Sequence, residues 1–494
     1  MGTSPRTAAE KAQEPFDGLP TARSTLQPST ERPRLPLARL AGILLLIALT
    51  LLVQCGDLLS PIDRTTSLHP KFLHHCRALL KPSHDTYTSR LASLSAVLTS
   101  STSNSSSVWI AEPGPSAFYY TGAFSSADWS LSERPFLIAI STSTNSSAEI
   151  TFLTPEFEKL RAQLLPLPSQ IKDKVRWVSW KEHESPYAIL RASLGEQGAV
   201  VLDGRVREFV ASGIRSALGE EAVRAGEGMK AAVMGIRERK DEREIGLLHC
   251  ANQMTLHAIR KTRRRMRFGM TESRTGEILR EEMLAAGLTD GDGLVLFGEN
   301  AALPHGSGTD RKLTKYDLVL IDAGGKWGGY VADITRTFAL PKSQISNHHL
   351  RIWETVRRAQ LAPYDLLLHP PSTHNLTFAD LDIAARKTVS RAFPPSNLTE
   401  ASEPDYSVFT HRLGHGIGLE GHESPYVVQG PQGSTVVQPG HVFSLEPGVY
   451  LPRVNGEGEG VGVRLEDCFV VTVGKDGKLG GKWLSGPVRS WGEV

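Results

Sequence analysis

YDLVLIDAGGKWGGYVADITRTFAL, Tyr316 to Leu340, is two β-rich runs around a glycine-rich turn, and that pattern predicts a hairpin. If the pairing is roughly symmetric about the turn, Asp322 and Asp333 stand opposite each other, and cross-strand neighbours place their Cβ atoms about 5 Å apart. Two carboxylates that close in an apolar strand context repel each other and cost desolvation. A cation between them removes both problems, whereas a pair of turn-capping aspartates would leave them.

The pattern recurs downstream. FSLEPGVYLPRVNGEGEGVGVRLEDCFVV, Phe443 to Val471, again has two strands around a polar, glycine-rich turn and places Glu446 and Glu466 on facing strands. Between the hairpins lies HRLGHGIGLEGHESP, His411 to Pro425, with three histidines among four glycines. In a strand, His411, Leu413 and His415 share one face. Gly414, Gly416 and Gly418 remove side chains, which would leave room for metals and substrate near the backbone. The alternative is a glycine-rich loop that carries histidines by chance. Four carboxylates and one imidazole make a mixed hard and borderline ligand set for two divalent ions, Mn²⁺ first, Co²⁺ or Zn²⁺ otherwise. Ions roughly 3.5–4 Å apart can hold a bridging hydroxide, a nucleophile available at neutral pH.

The order Asp-x10-Asp, HxxxH, EPG and RxED resembles the pita-bread metallopeptidases. ALPHG at 302–306, GGYVADITRTF, HRLGHGIGLEGHESPY, SLEPGVY and GVRLED resemble the Xaa-Pro aminopeptidase and prolidase branch of that family. The resemblance covers about 240–485. EPGPSAFYYTG at 112–122 is similar to that branch's creatinase-like N-terminal domain. The resemblance implies a creatinase-like α/β domain followed by an α+β pita-bread catalytic domain. It implies that Asp333 and Glu466 bridge two ions, that Asp322 holds one, and that His415 and Glu446 hold the other. His305, 17 residues before Asp322, and His422 would face the scissile carbonyl and the developing oxyanion. His411 would face the proline side of the substrate, and Arg464 would orient a ligand carboxylate. Gly421 departs from the family's usual apolar residue, and RVNGEGEG lengthens the last turn.

The implied activity is hydrolysis of an Xaa-Pro bond by a bridging hydroxide, at the N-terminus of peptides or in dipeptides. That bond is a tertiary amide, with no N–H and with cis–trans freedom. A methionine aminopeptidase-like enzyme is the rival enzyme reading, and a non-catalytic pita-bread module tethered to a membrane is the rival binding reading. A proline-containing peptide is the expected partner, and the resemblance leaves room for a homodimer.

The rest of the chain supplies the organisation. At 494 residues it exceeds one typical domain. Its net charge of +2 argues for no acidic partner. Residues 1–39, rich in Pro, Ser, Thr and charge, read as a disordered cytosolic leader. Residues 40–56, LAGILLLIALTLLVQCG, carry no charge and read as a signal anchor or signal-peptide segment, about 25 Å long as a helix. Arginines before it and acids after it predict a single-pass protein with a lumenal or extracellular catalytic domain in the secretory pathway, or a secreted one if the segment is cleaved. Asn104, Asn145, Asn375 and Asn397 open glycosylation sequons beyond it.

Residues 57–107 read as a stalk and first helix that begin the creatinase-like domain. Residues 108–238 alternate short apolar strands with helices and complete it, and 239–494 form the catalytic domain. Arg260, Lys261, Arg263, Arg264, Arg265 and Arg267 end a long helix and read as solvated cations at its negative pole, not as a nucleic-acid patch. The four cysteines, with no CxxC, read as neither a zinc site nor a disulfide framework; Cys250 and Cys468 read as buried thiols.

Overall fold

The apolar runs of the first half become one mixed sheet in a computed structural model that describes residues 68–100, 106–142, 148–394, 407–453 and 460–494. Two helices come first, α1 (Pro70–Leu79) and α2 (Thr86–Ser100). The strands are β1 (Ser107–Ala111), β2 (Leu137–Thr142), β3 (Ala148–Pro155), β4 (Val175–Trp180) and β5 (Ala199–Leu202), in spatial order β4-β3-β2-β1-β5. The β1–β2 and β2–β3 pairs are antiparallel, and the outer strands join in parallel. Helix α3 (Pro115–Thr121) follows β1. Helices α4 (Pro186–Leu194), α5 (Glu208–Leu218) and α6 (Glu220–Glu238) complete this half. The segment PEFEKLRAQLL forms the 3₁₀ turn Glu156–Glu158 and the five-residue helix Lys159–Gln163.

Asp241 then opens α7 (Glu242–Arg265) with a capping box, its side chain accepting from Glu244 N while Glu244 reaches back. Leu247, Cys250, Ala251, Met254 and Ala258 form an apolar stripe on α7 that is fully buried. Helix α8 (Glu272–Ala285) leads to β6 (Thr289–Phe297), β7 (Val319–Trp327), β8 (Tyr330–Val331) and β9 (Ile334–Phe338). Helices α9 (Asn347–Leu368) and α10 (Phe378–Ala392) precede the last strands. These are β10 (Gly414–Gly416), β11 (Glu423–Val427), β12 (Val442–Leu445), β13 (Gly448–Leu451), β14 (Val461–Arg464), β15 (Asp467–Val473) and β16 (Leu479–Trp483). They build a sheet ordered β11-β10-β12-β15-β16 and a separate β13–β14 ladder. Residues 68–494 form one compact unit.

Three expectations change here. The anchor expected at 40–56 lies outside the described residues, and among those described no helix is long and apolar enough to cross a membrane. The placement as a single-pass membrane protein with a lumenal catalytic domain is therefore withdrawn. The cysteines are not all thiols: Cys76 on α1 and Cys250 on α7 form a disulfide across 174 residues, and Cys468 alone matches its reading as a buried thiol. Spacing along the chain cannot show a contact made only when two distant helices pack. The cationic end of α7 is tied to its own fold. Arg263 donates to the Ala339 carbonyl, Arg260 to that of Val494, and Arg265 pairs with Glu281 and Glu282.

Candidate metal centre

The first hairpin turns at Gly328–Gly329, whose φ values of 59° and 86° are the positive pair that a two-residue loop requires. That turn sits one residue later than a centre midway between the aspartates. Asp322 therefore pairs with Thr335, and Asp333, in the break between β8 and β9, is its diagonal neighbour on the same face rather than its direct opposite. In the second hairpin Leu445 pairs with Asp467 and Gly448 with Arg464, so Glu446 and Glu466 face each other where the ladder passes from one sheet to the next.

His415 lies on β10, buried to 1% exposure. The glycines beside it serve strand approach rather than an open pocket. A Cβ on Gly414 would lie 1.9 Å from the Ser444 carbonyl oxygen, and one on Gly416 2.3 Å from that of Ser424. This closeness lets β10 carry His415 to the carboxylates. Its Nε2 is 3.2 Å from Glu446 Oε1 and 3.6 Å from Asp333 Oδ2.

Ligand atoms gather in three overlapping sets, each within 4.8 Å: Asp333, His415 and His422; His415, Glu446 and Glu466; Asp322, Asp333 and Glu466. The structure thus brings together all five side chains expected as ligands and adds His422. Burial, then Glu466, Asp322 and Glu446, holds the Asp333 carboxyl well above the usual range. Burial, then Glu446 and Asp322, does the same to Glu466. Burial, opposed by Arg464 and reinforced by Asp322, pushes Glu446 up to about 7. Glu466 Oε2 accepts from Thr335 at 2.7 Å, but Oε1 is buried with no hydrogen-bond partner among the described residues. Crowded carboxylates, one orphaned oxygen and a buried imidazole fit a dinuclear divalent centre, because cations remove the repulsion and take up the unused lone pairs.

Arg464 orders the rim. It donates to Asp322 Oδ2 at 2.6 Å, to Thr335 Oγ1 at 3.1 Å, to the Tyr450 hydroxyl at 3.0 Å and to the Pro304 carbonyl at 3.1 Å. The last bond ties down the segment before His305, an exposed side chain. The ring of His411 is held at both nitrogens, by the Arg412 carbonyl at 2.8 Å and the Tyr450 hydroxyl at 2.8 Å. A carbonyl can only accept, so Nδ1 carries the proton and Nε2 accepts from Tyr450. Burial, which pushes His411 down to about 4, keeps that neutral form. The His422 ring lies 4.0 Å, centre to centre, from that of His415 at a tilt of 52°, and its Nε2 is 4.0 Å from Asp333 Oδ2.

Sequence reasoning missed Thr335, Tyr450 and Ser444, whose hydroxyl donates to Glu446 at 3.2 Å and accepts from His415 N. Their signal lay in the strand alternation: Thr335 shares a face with Asp333, and Ser444 with Glu446.

A sheet-borne set of four carboxylates and an imidazole, behind an N-terminal domain, is the plan of a pita-bread metallopeptidase. The description "metallopeptidase family M24" matches residues 246–473, and the chain belongs to that family. It is 34% identical over 396 residues to an uncharacterised peptidase of Schizosaccharomyces pombe, covering 79% of this chain and 80% of that one. It is 35% identical over 245 residues to an Xaa-Pro dipeptidase of Lactobacillus delbrueckii, 49% of this chain and 59% of the relative. The crystal structure of dipeptidase PepE from Mycobacterium ulcerans superposes with a TM-score of 0.67 at 26% identity, over 83% of this chain and 98% of that one.

Proposed function

We propose that the protein is a dimetal exopeptidase that hydrolyses the bond between an N-terminal residue and proline, with dipeptides as its first substrates. The observation that carries this is the convergence of Asp322, Asp333, His415, Glu446 and Glu466 around the orphaned oxygen of Glu466. Proline specificity is supported by the likeness to the Lactobacillus Xaa-Pro dipeptidase, and dipeptide size by that relative and by PepE.

In this reading Asp322, Asp333, His415, Glu446 and Glu466 would hold the two ions, with Asp333 and Glu466 placed to serve both. The mixture of carboxylate and imidazole favours Mn²⁺, with Co²⁺ and Zn²⁺ as alternatives. The ions, when bound, supply Lewis acidity and activate water near neutral pH. Arg464 holds Asp322 aimed inward through the 2.6 Å bond to Oδ2. His422, beside Asp333 at the mouth of the centre, donates one N–H to the carbonyl oxygen as charge develops there. His305 approaches the same oxygen from the loop after the 3₁₀ turn Gly298–Ala302. His411, fixed by Tyr450, lines the proline side.

The test strips the full chain of metal, restores Mn²⁺, Co²⁺ or Zn²⁺, and compares Xaa-Pro, Xaa-Pro-Yaa and Met-Ala peptides. Metal-restored cleavage of Xaa-Pro is expected to exceed the others. Preference for Met-Ala would replace this reading with a methionine aminopeptidase-like one, and no metal-restored cleavage of any of the three would leave a binding module.

A further inference from the structure

A cavity of about 430 Å³ runs along the seam between the N-terminal sheet domain and the catalytic half. Asp203, Arg205 and Arg237 lie on one wall, Glu420, His422 and Glu423 on the other. His422 ends the short loop between β10 and β11. Its side chain is 62% exposed, and apart from the 4.0 Å approach to Asp333 it makes no hydrogen bond with any described residue. The ring meets His415 at 4.0 Å between centres, but no hydrogen bond to a described residue fixes where it points, so its position depends on the loop.

The loop is held from across the seam, by carboxylates on either side of the histidine. Arg237, in the last turn of α6, donates through Nη2 to Glu420 Oε2 at 2.9 Å and to Glu423 Oε2 at 2.8 Å. Its Nη1 donates to Ser116 Oγ on α3 at 2.8 Å, which sets the guanidinium plane. Lys240 donates to Glu423 Oε1 at 2.7 Å, and Arg205 pairs with Glu420. Apart from Arg205, which is 62% exposed, the cluster is largely buried, with side-chain exposures of 16% for Arg237, 11% for Glu420, 9% for Glu423 and 1% for Lys240. Buried ion clusters hold geometry firmly, and removal of one partner leaves charge uncompensated.

We propose that Arg237 is a positioning residue for His422, so that the N-terminal domain takes part in hydrolysis by fixing the loop Ile417–His422. This rests on the reading of His422 as the group facing the scissile carbonyl. One guanidinium bonded to carboxylates two residues before and one residue after the histidine restrains both ends of the segment that carries it.

The test uses the full chain loaded with Mn²⁺. Arg237→Gln should accelerate amide hydrogen exchange in residues 417–424 by about tenfold or more, a readout that needs no substrate. It should lower kcat on an Xaa-Pro dipeptide by about 10- to 100-fold, with KM and metal content near wild type, as a misplaced group does. Arg237→Lys should recover part of the loss. In the His422→Ala background, Arg237→Gln should change kcat by less than about twofold, because two residues acting through one contact are not additive. Unchanged exchange, or full additivity with His422→Ala, overturns the proposal. Accelerated exchange in a protein that turns over no proline peptide would uphold the clamp and sink the substrate reading instead. If the Gln variant fails to fold, Glu420→Gln must show the same exchange and coupling, and its failure to do so counts equally against the clamp.

Discussion

Asp333 is the most demanding side chain in the centre. It sits in a break between two strands with Glu466, Asp322 and Glu446 raising its proton affinity on top of burial. A cation held there would remove that cost. Asp333→Ala should therefore abolish metal-dependent activity and reduce bound metal, measured by elemental analysis of the purified chain; near-normal turnover after metal is restored would remove it from the ligand set. His422→Ala and His305→Ala should behave in the opposite way, retaining metal while turnover falls by about 10²–10³, the usual effect of losing an oxyanion donor. Loss of metal in either variant would mean that a ligand had been mistaken for a substrate contact, a real question for His422 because it is 4.0 Å from Asp333. The acidic and imidazole positions were legible in the sequence because their spacing is tied to strand and turn lengths. Tyr450 and Thr335 were not, since a hydroxyl announces its role only when Arg464, more than a hundred residues from Thr335, folds against it.

At the level of elements, the strands of both halves were readable from apolar runs, but register was less so. GGKWGG offers two glycine pairs, and either could turn the chain. The structure uses the second, which shifts the pairing by two residues from one centred midway between the aspartates and leaves both on the same face. The glycines around His415 were read as open space, and the contacts at Gly414 and Gly416 show backbone filling it. A pH dependence belongs to this scale, at the entrance to β12. His441 is 3% exposed, bridges to Arg239, and its Nδ1 accepts from Gln438 N at 3.1 Å. Burial, with help from Lys240 and Arg239, lowers it from 6.5 to about 4. Below pH 6.5 the unfolded chain takes up a proton that the folded one refuses, so stability is full above that value and declines as the pH falls toward 4. At pH 5 the loss from this one group is about 2 kcal/mol. His441→Gln should reduce the difference in urea-unfolding free energy between pH 7 and pH 5 by about that amount. An unchanged difference would mean that the ring is protonated in the folded state and that the burial argument fails.

For the molecule as a whole, the two-domain plan was legible because strand–helix alternation and hairpins with wide-spaced acids are different patterns. The long-range covalent link was not. Cys76 lies on α1, before the first strand, and Cys250 on α7, after the last helix of the N-terminal half, so only packing brings their Cα atoms to 5.8 Å. The Trp327 indole donates to the Cys76 carbonyl at 3.0 Å, so the same helix also touches the hairpin that carries Asp322. The disulfide thus closes the entire N-terminal domain into a loop anchored on a catalytic-domain helix. Cross-links over long loops restrict the unfolded chain, and their usual contribution is about 2–4 kcal/mol. A phosphine reductant should lower the urea midpoint of the wild-type chain and leave that of Cys76→Ser unchanged, while the variant by itself should start near the reduced wild type. The denatured, unreduced chain should also titrate two fewer thiols than the reduced one. Because neither sulfur touches the metal centre, the variant should keep its metal and its turnover at temperatures where it remains folded. A wild-type midpoint that ignores the reductant, with a full complement of titratable thiols, would show that the two cysteines are packed but not joined, and that α1 is held by its apolar face and the Trp327 bond alone.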